Sequence, residues 1–143
     1  MPRLTRYFIK TALIYLVASL LIGALVVARV TFDLPFEVVA ALAALTPVYF
    51  HLFMVGWVTQ LIFGMLFWML PRQSKERPRG NERLAWIAFI TINAGLIARA
   101  IGEPLVTLQP DLGAGWLLAL SALLQLIGGW TFVAQAWPRV RER

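Results

Sequence analysis

Long apolar runs separated by short charged segments dominate the chain. The first runs from Phe8 to Ala28, the second from Pro47 to Leu70, the third from Leu84 to Ile101 and the fourth from Gly115 to Ala136. At ~1.5 Å per residue each is long enough to cross or nearly cross a ~30 Å hydrocarbon core. None shows the alternation of a barrel strand, and an open sheet at that depth would leave backbone groups unpaired, so all four are predicted to be helices. The expected fold class is all-α: an integral membrane four-helix bundle in one domain over residues 1–143. Residues 31–46 read as a short interfacial helix or, as the preferred reading, an extension of the second helix bent at Pro47.

Composition agrees. Of 143 residues, 60% are hydrophobic and 14% charged, with six Trp and nine Phe, more apolar surface than a soluble body of this size can hide. There is no Cys, which excludes thiolate chemistry, and with one His and seven acidic residues a structural zinc cage, a Ser-His-Asp triad and a proton-relay chain are poorly supplied. The net charge of +6 comes from residues at helix ends, so it reads as topology and not as a nucleic-acid surface. Arg3, Arg6 and Lys10 precede the first helix. Arg72, Lys75, Arg77, Arg79 and Arg83 follow the second, and Arg139, Arg141 and Arg143 follow the fourth. Arg29 and Arg99 stand alone in the two intervening positions. This alternation predicts that both termini and the middle loop face the cytoplasm, in the inner membrane of a bacterium. The basic start and the small residues Val26 and Ala28 resemble a signal peptide, but the run exceeds the ~7–15 residues of a signal core and is read as helix one. The loop from Pro71 to Arg83, with Pro78 and Gly80 among its charges, reads as a solvated connector without a site.

Helix two carries the chemistry. His51 lies four residues, about 6 Å, in from Pro47, where an imidazole is already within hydrocarbon. At 100° per residue Val55, Val58, Ile62 and Met69 share its face, while Gly56, Gln60 and Gly64 form a second stripe that permits close helix approach. Asn93, Gln60 and Gln125 read as interhelical hydrogen-bond partners, and Glu103 or Asp111 as counter-ions for Arg29 or Arg99.

The series Tyr49-Phe50-His51, Gly56-Trp57-Val58-Thr59, Gly64, Phe67-Trp68 and Pro71-Arg72 resembles the tenth helix of the catalytic subunit of haem-copper oxidases and nitric oxide reductases. The resemblance covers about 25 residues. In that family the helix carries His-x-His; His51 matches the second, the low-spin haem ligand, and Tyr49 stands at the first. The family's copper-binding histidines have no counterpart. The resemblance implies haem b bound through His51, with Arg99 and Arg29 opposite the propionates, in a protein of electron transfer or of oxygen or nitric oxide binding that is not itself an oxidase. Met54, Met65 and Met69 sit on the same helix as His51 and cannot reach the opposite haem face. Two arrangements remain: a five-coordinate haem, or a homodimer in which each chain gives one His51 to a shared haem. The dimer contact would use Gly56, Gln60 and Gly64, or Gly128 and Gly129. Other implied partners are the bilayer and a respiratory complex or quinone. The alternative is a haem-free accessory or assembly subunit of a respiratory membrane complex.

Overall fold

The computed structural model describes residues 1–75 and 77–140, and among these every regular element is helical. In order they are α1 (Arg3–Thr31), α2 (Phe36–Ala44), α3 (Thr46–His51), a π-helical segment (Leu52–Thr59), α4 (Gln60–Met69), α5 (Glu82–Leu108) and α6 (Gly115–Ala136). Short 3₁₀ turns follow α5 at Pro110–Leu112 and α6 at Trp137–Arg139. Four stretches are long and apolar enough to cross a membrane: Arg3–Thr31, Phe36–Met69, Glu82–Leu108 and Gly115–Arg139.

Local chemistry sets the boundaries. α1 ends at Thr31, with Phe32 already extended at φ −112° and ψ 148°, and Pro35 stands at the cap of α2. The second stretch breaks at Leu45, one residue before Thr46-Pro47, because proline fits the first turn of a new helix and not the interior of an old one. α5 starts on Asn81, whose side chain accepts from the Arg83 N–H at 3.1 Å. It runs seven residues past the apolar run that marks it in the sequence, through Glu103 and Pro104 to Leu108. Gly113, at φ 60°, supplies the left-handed turn into α6.

Helix packing in lipid rests on close contact and on polar bonds, since lipid tails offer no hydrophobic drive between helices. α1 lies along α3, the π-helical segment and α4, and α5 pairs with α6. A Cβ on Gly56 would stand 2.8 Å from Tyr15 Cγ, and one on Gly64 2.8 Å from Phe8 Cβ. Gly128 meets Ile92 in the same way. The expected dimer stripes are therefore consumed inside the chain: Gly56, Gln60 and Gly64 are buried against α1 and α5, and Gly128 against α5, leaving Gly129 open. At one end Phe63 and Phe132 stack at 3.7 Å between centroids, above Leu4, Phe8, Phe67 and Ala88.

The π-helical segment changes which residues share a face. Buried positions recur every fourth residue at Val48, Leu52, Gly56, Gln60 and Gly64. In an unbroken α-helix that spacing drifts around the cylinder; the wider π turn, with Thr59 Oγ1 donating to Met54 O at 2.9 Å, draws it back onto one side. The uniform 100° step that sets Val55, Val58, Ile62 and Met69 on the His51 face does not hold across this segment.

Candidate functional site

His51 closes α3, directly before the π-helical segment and near the middle of the stretch Phe36–Met69. Its Nδ1 lies 2.9 Å from the Pro47 carbonyl and 3.0 Å from Glu103 Oε1. Both are acceptors, so Nδ1 carries the hydrogen. Nε2 lies 3.3 Å from Arg99 Nη1, a group that only donates, so Nε2 presents its lone pair. With Arg99 donating to Nε2, the contacts on the two nitrogens are those of the Nδ1–H tautomer.

Arg99 and Glu103 stand four residues apart on α5 and face helix two together. Nη1 of Arg99 is 3.3 Å from Glu103 Oε1 as well as from His51. Its Nε donates to Ser121 Oγ on α6 at 3.0 Å. Ser121, wholly buried, passes its own hydrogen to the Gly95 carbonyl at 2.8 Å and also accepts from Gln125. Three helices thus meet on one guanidinium. Glu103 is 7% exposed and its second oxygen, Oε2, has no hydrogen-bond partner among the described residues. His51 is 31% exposed, which leaves the cluster reachable from the helix-two side.

A second polar knot lies deeper. Asn93 and Gln60 exchange hydrogen bonds at 3.1 and 3.3 Å, and Tyr15 of α1 donates to Asn93 Oδ1 at 3.0 Å. Gln125 turns to Ser121 on its own helix.

Of the expected site residues, His51 and Arg99 come together and Arg29 does not. Arg29 lies in the last turn of α1, six residues, about 9 Å, beyond Gly23, which faces Tyr49. It has no hydrogen bond or ion pair among the described residues. Asp111 is also apart from the cluster. Glu103 and Ser121 complete it; the i, i+4 spacing of Arg99 and Glu103 was the available signal for the first, and a lone Ser in an apolar helix for the second.

An axial haem ligand must turn a free imidazole lone pair toward iron in a flat apolar slot. Here the Nε2 lone pair faces the Arg99 guanidinium, and the space beside it holds a carboxylate and a cation. A haem iron on Nε2 would have to displace the Arg99 guanidinium from this position. Among the described residues no group of three metal-ligating side chains comes together. No family model matches the chain, and neither a curated protein nor a solved structure matches it.

Proposed function

We propose that the protein is a haem-free, non-catalytic subunit of the bacterial inner membrane whose His51–Arg99–Glu103 cluster takes up and releases a proton. The observation that carries this is the placement of Arg99 Nη1 at 3.3 Å from both His51 Nε2 and Glu103 Oε1. With neutral His51 the cluster has no net charge, one guanidinium against one carboxylate. A proton on Nε2 would set donor against donor, so Arg99 turns wholly to Glu103 and Ser121 while the new imidazolium keeps Glu103 through Nδ1. Ionisable groups inside a membrane are costly and ordinarily mark sites of this kind. The basic segments at the far end of the bundle support termini on the cytoplasmic side, with the cluster nearer the other face.

The single His makes the test direct. Nitrogen NMR of the imidazole in lipid nanodiscs is expected to show the Nδ1–H tautomer, converting to a doubly protonated ring on acidification, a response altered by Glu103→Gln. A resonance that never titrates overturns the proposal.

The rival is the b-type haem reading, in which two chains share one haem. It rests on the helix-two resemblance and on the Nδ1 bond to the Pro47 carbonyl, a contact common behind metal-bound imidazoles. A Soret band in protein made in a haem-replete host, lost in His51→Ala, would assign His51 to iron.

A further inference from the structure

At the end of the bundle away from His51, the close of α4, the connection after it and the turn after α6 surround a cavity of about 620 Å³. Arg72, Lys75, Arg79 and Arg139 line it, Ser74 adds a hydroxyl, and Trp68 and Leu70 add apolar surface. The connection that reads as a mere solvated link is held in place here. Gln135 of α6 donates to the Arg79 carbonyl at 2.6 Å, and Gln73 N–H to the Pro78 carbonyl at 3.1 Å. Gly80, at φ 74°, makes the turn that allows it.

Among the described residues the charges are unbalanced. Arg139 is 1% exposed and donates only to neutral carbonyls, those of Phe67, Leu70 and Pro71 at 2.7 to 3.1 Å. No carboxylate among the described residues pairs with it. Arg79 meets Glu82 at 3.7 Å, an exposed contact of little strength. Four cations therefore border one cavity with a single weak counter-ion among the described residues. A multivalent anion removes that repulsion, and arginine forks match tetrahedral phosphate oxygens.

We propose that this cavity binds a phosphate group, supplied by an anionic phospholipid headgroup or by free phosphate. The lipid source has the apolar wall in its favour. Trp68 is 48% exposed at the end of a membrane-crossing stretch, the level at which headgroups meet acyl chains and basic clusters attract anionic lipid.

The test uses the full chain in detergent, scored by native mass spectrometry after addition of phosphatidylglycerol, phosphatidylcholine or inorganic phosphate. Phosphatidylglycerol is expected to remain bound and phosphatidylcholine to be lost. The triple variant Arg72→Ala, Lys75→Ala, Arg79→Ala, which spares Arg139, should weaken retention roughly a hundredfold. The control Arg3→Ala, Arg6→Ala, Lys10→Ala, at a separate basic patch of the same chain, should leave it unchanged. Displacement of bound lipid by inorganic phosphate, or binding of phosphate alone, supports the site with free phosphate as its source. Equal retention of both lipids, or equal loss in triple variant and control, overturns the proposal. A folded triple variant is verified by its unfolding temperature and unchanged His51 resonance.

Discussion

Arg99 Nη1 stands 3.3 Å from the lone-pair nitrogen of His51, so the only imidazole in the chain is held from both sides, by an arginine on one nitrogen and by a carbonyl and a carboxylate on the other. This bond joins helix two to α5, and Ser121 extends it to α6. It turns three isolated polar residues into one unit that must be disturbed as a unit.

Arg99→Ala should therefore do more harm than the loss of one hydrogen bond. It leaves Glu103 buried beside a neutral imidazole, and breaking a buried pair from one side costs about 3 kcal/mol. Thermal unfolding in detergent should show the loss, and Arg99→Ala combined with Glu103→Ala should recover part of it. A double variant as weak as the two losses added would mean that the residues act independently.

Replacing Arg139 tests the close of α4. Three hydrogen bonds from one cation to the Phe67, Leu70 and Pro71 carbonyls disappear in Arg139→Ala, for a loss of about 3 kcal/mol. Arg139→Lys should recover only a fraction, because an ammonium lacks the planar fork that reaches three acceptors at once.

Gly56→Ala and Gly64→Ala force a Cβ to within 2.8 Å of Tyr15 and Phe8. Each should cost about 1–3 kcal/mol. Gly129→Ala, with nothing within 4 Å, should be neutral or raise stability by up to about 1 kcal/mol through helix propensity. If Gly129→Ala dissociates an oligomer in detergent, that open glycine marks a contact between copies.

Tyr15→Phe removes the α1 arm of the Asn93–Gln60 knot. The expected cost is about 0.6 kcal/mol, the ordinary worth of such a bond in a membrane. A much larger loss would show that Tyr15 orders the pair and does not merely join it.

The four crossings were legible because an apolar run of membrane length admits few alternatives. The sixth to eighth turns of α5 were not: Gly102, Glu103 and Pro104 read as the end of an apolar run, yet Glu103 continues the helix by pairing with Arg99 one turn back. His51 and Arg99 could be singled out as ionisable groups at membrane depth. Their mutual contact could not, since it depends on how α3 and α5 pack. The π-helical segment escaped for a similar reason. Its residues, Leu-Phe-Met-Val-Gly-Trp-Val-Thr, are compatible with either helical winding, so no local signal marks it. The basic connection reads as solvated and most of its described residues are exposed; the bond from Gln135, 56 residues away, to its Arg79 carbonyl has no signal in the local sequence.

The guanidinium that finishes α4 comes from 72 residues later in the chain. Synthesis therefore delivers α4 well before the group that closes it, and until residue 139 arrives its last carbonyls are left to water.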